Sequence, residues 1–95
     1  MDATMLDGNA VAGLLEEIFG ADMTTASGTC AGCGAAEPMG ALHAFMGAGV
    51  VLRCPHCDSV LVKITRSETR IWMSMEGVRA LAMPVREVPP GDPGP

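Results

Sequence analysis

All four cysteines of this chain lie in two C-x-x-C pairs, Cys30 with Cys33 and Cys54 with Cys57, and 20 residues separate the pairs. Two cysteines on one tight turn can direct both sulfurs at a single ion, and two such turns complete a tetrahedron. Glycines on both sides of Cys33 and a proline after Cys54 favour tight turns. The spacing is at the upper end of the range for a two-knuckle zinc ribbon, so we predict one four-cysteine zinc site.

The sulfurs have other possible roles, and each makes a different demand on the chain. Disulfides suit exported proteins, and the start "MDATMLDGNA" lacks the basic residues and the apolar run of a signal peptide. A thioredoxin-type pair requires a βαβ context that the sequence lacks. Iron is harder to separate from zinc, since "CAGCG" and "CPHC" resemble rubredoxin knuckles. The absence of Tyr argues against a rubredoxin-like aromatic core, and iron remains the alternative.

The size of the chain explains why it would need a metal. A chain of 95 residues buries too little surface for a large core, and only Phe19, Phe45 and Trp72 supply aromatic rings. A bound metal can stabilise so small a domain. A site made of four thiolates has no open position for a substrate, so the predicted zinc is structural.

Residues 7–20 have the pattern of one short amphipathic helix. From Val11 onward, apolar side chains recur at i, i+3, i+4, i+7 and i+8, which form one helical face. Asp7 or Asn9 can accept hydrogen bonds from the first free amides, and Gly20 stands where a C-terminal stop is expected.

The second half of the chain alternates in the manner of β-strands. In "SVLVKITRS", Val60, Val62 and Ile64 share one face, while the residues between them share the other. The stretch "TRIWMSMEG" repeats the pattern, and a short hairpin around Ser67–Glu68 joins the two runs. "VRALAMP" predicts one more strand or turn. We therefore predict a small α+β, mainly β fold: a zinc ribbon with two CxxC knuckles on antiparallel β-hairpins and one N-terminal helix.

Composition divides the chain into three parts. Residues 1–22 are predicted to form an acidic helix packed on the ribbon, residues 23–86 the zinc-ribbon domain, and residues 87–95 a disordered Pro/Gly tail. Residues 1–50 contain no Lys or Arg, and the formal net charge of the chain is −5. This charge works against non-specific nucleic-acid binding, which depends on neutralising phosphates.

Trp72 lies on the hairpin face opposite Ile71 and Met73, and two interpretations fit it. In the first, which we prefer, the N-terminal helix covers this face and packs Ile18 and Phe19 against the indole. In the second, the indole is exposed and anchors a partner. The possible partner-binding residues are then Trp72, Lys63, Arg66 and Arg70.

The sequence contains no recognisable catalytic motif: paired carboxylates, a phosphate loop and H-E-x-x-H are all absent. His43 lies in a predicted strand with no free nucleophile nearby. His56 lies inside the second knuckle, between two cysteines that both face the metal, and is predicted to face solvent. No apolar stretch is long enough to span a membrane. We therefore expect a cytoplasmic protein that is not an enzyme, with no catalytic residues and no small-molecule substrate.

The chain resembles a bacterial family of short zinc-ribbon proteins classed only as a domain of unknown function, in the stretches "MLDGNAVAGLLEEIFGADMT", "CAGCG", "RCPHC" and "IWMSMEGVRAL". The likeness covers about residues 5–84. The resemblance implies that Cys30, Cys33, Cys54 and Cys57 are the metal ligands, and that a helix is attached to the ribbon. It implies no catalytic residue and no activity.

These observations predict a non-enzymatic zinc protein that serves as a protein-interaction module. The first alternative is nucleic-acid or transcription-complex binding through the basic hairpin 53–79. The second alternative is a rubredoxin-like iron electron carrier. The basic residues on which the first alternative depends are Arg53, Lys63, Arg66, Arg70 and Arg79.

Overall fold

A computed structural model describes residues 5–83 of the chain, and the tail predicted over residues 87–95 lies outside this range. The regular elements of the described part are eight β-strands, one α-helix and two 3₁₀ turns. The strands are β1 Met5–Asp7, β2 Ser27–Cys30, β3 Ala36–Pro38, β4 His43–Met46, β5 Val50–Arg53, β6 Val60–Arg66, β7 Ile71–Ser74 and β8 Val78–Ala82; the helix α1 is Ala12–Phe19, and the 3₁₀ turns are Gly8–Val11 and Met39–Ala41.

The strands form two antiparallel sheets. The larger sheet has the spatial order β1-β4-β5-β6-β7, and the smaller sheet has the order β3-β2-β8. Each C-x-x-C pair lies where two neighbouring strands connect, the first between β2 and β3 and the second between β5 and β6. The prediction of antiparallel hairpins carrying the two cysteine pairs, with one N-terminal helix, is confirmed.

The helix forms where the sequence predicts one, but its first turn is a 3₁₀ turn. Asp7 caps this turn, because its Oδ1 accepts a hydrogen bond from the Asn9 N–H at 3.1 Å. Gly20 ends the helix with a φ of 76°. A side chain at Gly8 would collide with the carbonyl oxygen of Met39, so only glycine lets the two 3₁₀ turns pack this closely. In the described part of the chain, no helix is long or apolar enough to cross a membrane.

One core of aliphatic and sulfur-containing side chains lies between α1 and the strands. The helix buries Leu15 completely, and Ile18 and Phe19 pack against the margin of the core. Burying one leucine side chain contributes about 2 kcal/mol to folding. The largest fully buried side chains are Leu15, Met39, Leu42, Leu52, Leu61, Ile64, Val62, Cys30 and Cys54.

The larger sheet has two different faces. Val62 of β6 lies on the inner face and is buried in the same cluster as Leu15 of α1. Successive side chains of a strand point to opposite faces, so the neighbours of Val62 in the regular part of β6 point outward. We call this second side the outer face; its residues are Phe45, Val51, Lys63, Thr65 and Trp72.

Leu61 departs from the predicted alternation, because it is only 2% exposed although Lys63, two residues later, is exposed. The pairing of β5 with β6 shifts at this point: Leu52 lies opposite Val62, whereas the next residue of β5 lies opposite Val60. Leu61 is the extra residue of this bulge. The N–H of the glycine that precedes β8 donates to the Leu61 carbonyl at 3.3 Å, so the start of β8 covers it.

The helix does not cover Trp72, and the preferred interpretation from the sequence is wrong on this point. The Trp72 side chain is 53% exposed on the outer face. The helix lies on the other side of the sheet, where Glu17 Oε1 is 2.9 Å from Nη1 of Arg66. Alternation along a strand shows that the two faces differ, but the choice of the face that the helix covers depends on packing between distant parts of the chain.

Candidate metal centre

The two knuckles, residues 30–35 and 54–59, have the same backbone hydrogen bonds. In each, the N–H of the first cysteine donates to the carbonyl five residues later, at 2.8 and 2.9 Å. The carbonyl of that cysteine accepts from the N–H four residues later, at 2.9 Å in both knuckles. The fifth residue of each knuckle, whose N–H donates this second bond, has a positive φ, 80° at Gly34 and 64° at Asp58. The two turns therefore present their cysteines in the same way.

The four sulfurs come together at one point between the knuckles. Cys30 Sγ is 3.6 Å from Cys57 Sγ, Cys33 Sγ is 3.7 Å from Cys54 Sγ, and all four atoms lie within 4.8 Å of one another. A tetrahedral zinc site with bonds of about 2.3 Å separates its sulfurs by about 3.8 Å. A disulfide would need a separation of about 2.05 Å. The arrangement fits a shared metal ion.

Backbone amides lie close to the sulfurs on both sides. The Gly32 N–H donates to Cys30 Sγ at 3.3 Å, and the His56 N–H donates to Cys54 Sγ at 3.4 Å. Such bonds offset the negative charge of thiolates around a metal. A Cβ at Gly32 would lie 3.1 Å from Ser59 Oγ, so this glycine also lets the first knuckle lie closely against the second.

The site joins the two sheets of the fold. Its first knuckle connects strands of the smaller sheet, and its second knuckle connects strands of the larger one. In each knuckle the first cysteine is buried, with Cys30 at 1% and Cys54 at 2% exposure, whereas Cys33 and Cys57 are exposed. One side of a bound ion would therefore face the core and the other side the surface.

As thiols, the two exposed cysteines differ in acidity. Hydrogen bonds from the Ser59 hydroxyl and then from the Ser59 N–H lower the pKa of Cys57 to about 6. At Cys33 the N–H of Ala35 acts to lower the pKa, but desolvation and the neighbouring thiols together raise it to about 12. Only a thiolate can bind a metal, so Cys57 is ready to act as a ligand at neutral pH.

A hydrogen bond between two side chains at the surface links the two knuckles. His56 Nε2, inside the second knuckle, lies 2.7 Å from Oε1 of Glu37, which belongs to β3 directly after the first knuckle. His56 is thus engaged with a carboxylate and is not among the clustered ligand atoms. The sequence did not single out Glu37, because a separation of 19 positions between the two partners matches no recognisable spacing.

The possible partner-binding residues do not form a single surface. Trp72 and Lys63 share the outer face, and Arg70 is exposed next to them at the start of β7. Arg66 alternates with these residues and instead forms the ion pair with Glu17 of the helix. Three of the four predicted residues therefore remain as candidates for one common contact.

Comparisons with known proteins leave the activity open but show the family. Neither the curated proteins nor the solved structures gave a match to this chain. The model of a family of unknown function, DUF6510, matches residues 1–86, which is almost the whole chain of 95 residues. A match of this extent makes the protein a member of the family of unknown function DUF6510.

Proposed function

We propose that the protein is a non-enzymatic zinc-ribbon protein of the cytoplasm that acts by binding another protein. One structural Zn²⁺ would be held by the four clustered cysteines. The observation that carries the proposal is the convergence of the four sulfurs, two from each knuckle, within 4.8 Å of one another. Four thiolates fill the coordination of zinc, so the ion would fix the fold and offer no position for catalysis.

Zinc is preferred to iron for two reasons. The aromatic content of 3% leaves little for the ring-lined surroundings expected of a rubredoxin-like iron site. Two of the four residues, Cys33 and Cys57, are exposed, and a redox-inert ion such as Zn²⁺ needs no protection from solvent.

The outer face supports the proposed binding role. It holds Trp72, which is 53% exposed, and β1, at the opposite edge of the larger sheet, adds Met5, which is 49% exposed. Exposed aromatic and methionine side chains are enriched at the centres of protein interfaces. Lys63 on the same face supplies a positive charge that suits an acidic or polar rim on the partner.

Nucleic-acid binding by residues 53–79 has less support than protein binding. Arg66 is engaged with Glu17, and the Arg53 guanidinium donates to the Asp58 carbonyl at 2.9 Å while it lies 5.7 Å from the centre of the Phe45 ring. Both guanidinium groups therefore already interact within the chain and are less free to bind phosphate groups. A complex with DNA or RNA that persists at physiological salt would reverse this preference.

Metal analysis tests the proposed site. The chain, purified without added metal, should contain one zinc ion per chain and be colourless, and strong chelators should unfold it. Cys54→Ser should lose both the zinc and the native circular dichroism. Ala48→Ser, which adds a hydroxyl in an exposed turn, is the control and should retain both. A red protein that contains iron, or a chelated protein with its native spectrum, would contradict the proposal.

The binding role has its own test. Trp72→Ala should weaken the retention of a protein partner by an immobilised chain at least tenfold, as expected for a central aromatic anchor. Met83→Ala, which truncates an equally exposed side chain at 55% exposure, should leave retention unchanged. Equal zinc content in both variants would show that the fold is intact. Equal retention by both variants would exclude the outer face as the binding surface.

A further inference from the structure

The strand β7 forms one edge of the larger sheet. It pairs with β6 on one side, and within residues 5–83 no strand pairs with its other side. The backbone groups along such an edge can pair with a strand from another chain. Ile71 and Trp72, at the start of β7, point to opposite faces and are 37% and 53% exposed. Both faces of the sheet thus have apolar surface at this edge.

The edge of β7 also lacks the features that usually prevent strand pairing. Charged residues and prolines at an edge discourage the addition of another strand. The other outer strands of the two sheets contain such residues: Asp7 in β1, Glu37 in β3 and Arg79 in β8. The sequence of β7, Ile-Trp-Met-Ser, contains neither a charge nor a proline. Among the edges of the described fold, β7 is therefore the one most open to a new strand.

The residues at the two ends of β7 have opposite charges. Arg70 comes directly before the strand and Glu76 comes two residues after it, and both are exposed. Within the described residues, neither takes part in an ion pair. If two copies of β7 pair antiparallel about a twofold axis at Met73, Arg70, directly before the strand of one copy, lies close to Glu76, in the turn that follows the strand of the other. The strand is therefore complementary in charge to itself.

We propose that the protein forms a twofold-symmetric homodimer in which β7 pairs with β7 of a second copy. Met73 lies opposite its own equivalent, Trp72 lies opposite Ser74, and two Arg70–Glu76 ion pairs flank the strands. The inner faces bring Ile71 next to Met75, which extends the apolar core across the axis. This inference rests on the proposed function, since it names the partner of the protein-binding module as a second copy of the chain.

Charge-reversing substitutions at Arg70 and Glu76 test whether the partner is a second copy of the chain and whether it binds through β7. Sedimentation equilibrium of the zinc-loaded full chain, from micromolar to millimolar concentration, should show a monomer–dimer equilibrium. Arg70→Glu sets carboxylates against carboxylates at both ends of the interface, and Glu76→Arg sets guanidinium groups against each other. Each change should weaken self-association by about tenfold or more.

Mixing the two variants provides the decisive result. In a heterodimer of Arg70→Glu with Glu76→Arg, both cross-strand pairs again combine opposite charges, so association should return to the strength of the unchanged protein. The control is Arg79→Glu, which makes the same change in charge as Arg70→Glu at an exposed position of β8 in the smaller sheet, and its self-association should be unchanged.

Three outcomes would overturn the dimer. The first is a monomer at every concentration, and the second is a dimer that neither Arg70→Glu nor Glu76→Arg weakens. The third is a mixture of the two variants that associates no more strongly than either variant alone. A monomeric chain that retains a different protein through Trp72 would also exclude the second copy as the partner. Zinc content and circular dichroism, measured on the same samples, separate these outcomes from a failure of the metal proposal, which would appear as lost zinc and lost fold.

Discussion

The two knuckles share one backbone geometry but satisfy it with different residues. Both require a left-handed residue four positions after the first cysteine, and the first knuckle uses Gly34 whereas the second uses Asp58. Glycine adopts this conformation without cost, and Asp is one of the few other residues that tolerate it. The comparison shows that the hydrogen-bonded turn, and not any one residue besides the cysteines, defines the knuckle.

The knuckles also differ in the surroundings of their exposed cysteine. Cys57 has the Ser59 hydroxyl 3.1 Å from its sulfur, and the same knuckle supplies His56 to the hydrogen bond with Glu37. At Cys33 the N–H of Ala35 acts to lower the pKa, but desolvation and the three other thiols raise it to about 12. The second knuckle thus stabilises a thiolate at its exposed cysteine, and the first does not.

The largest expected effect is the loss of stability when a buried cysteine is replaced, and it should be the same for both knuckles. Cys30→Ser and Cys54→Ser each remove a buried ligand, and the loss of the zinc site should cost on the order of 10 kcal/mol, enough to unfold the domain. Zinc content and circular dichroism at neutral pH measure the result. A variant of either knuckle that remains folded without zinc would show that the two knuckles do not share one stabilising ion.

Substitution of the left-handed residue should affect stability differently in the two knuckles. Gly34→Ala should destabilise the zinc-loaded protein by about 1–2 kcal/mol, because alanine is strained at positive φ. Asp58→Gly should be neutral or slightly stabilising, since it relieves that strain. Gly13→Ala is the matched control: its Cβ would meet nothing within 4 Å in α1, and it should stabilise by about 0.5–1 kcal/mol. Denaturant unfolding measures all three, and equal losses for Gly34→Ala and Asp58→Gly would contradict this account.

Ser59→Ala should weaken zinc binding by about tenfold, because it removes a hydrogen bond to a ligand thiolate. The bond holds the pKa of Cys57 low, so this sulfur remains deprotonated down to about pH 6. Without it the pKa rises, protons compete with zinc at higher pH, and the midpoint of acid-induced zinc release should move upward. Competition with a chromophoric chelator across a pH series measures both changes. An unchanged midpoint would show that the hydroxyl does not stabilise the thiolate.

The smallest effect concerns the hydrogen bond between His56 and Glu37, which joins the knuckles. Both side chains are partly exposed, with His56 at 52% and Glu37 at 29%, so solvent weakens their interaction. A double-mutant cycle of Glu37→Ala and His56→Ala should give a coupling of about 0.2–1 kcal/mol in denaturant unfolding. A coupling of several kcal/mol would mean that the pair organises the metal site itself.

Sequence patterns predicted the features whose causes are local. Cysteine spacing located the four cysteines whose sulfurs converge, and the Asp7 cap and the Gly20 stop marked the helix ends, because each depends on residues close along the chain. The exposure of Trp72 was only the second interpretation, and the bulge at Leu61 and the contact of Glu37 with His56 were not predicted. Each of these depends on which distant segment lies against it, and strand alternation contains no information on that choice.

The convergence of the sulfurs has a mechanical consequence. A metal ion bound to both Cys30 and Cys57, which are 27 positions apart, would act as a crosslink that closes the segment between them into a loop. When the ends of the chain are pulled apart, this segment would stay shielded from tension until a metal–sulfur bond ruptured. Rupture would then release roughly 90 Å of extended chain in one step. The clustered cysteines would therefore stabilise the folded domain and also determine the force needed to unfold it.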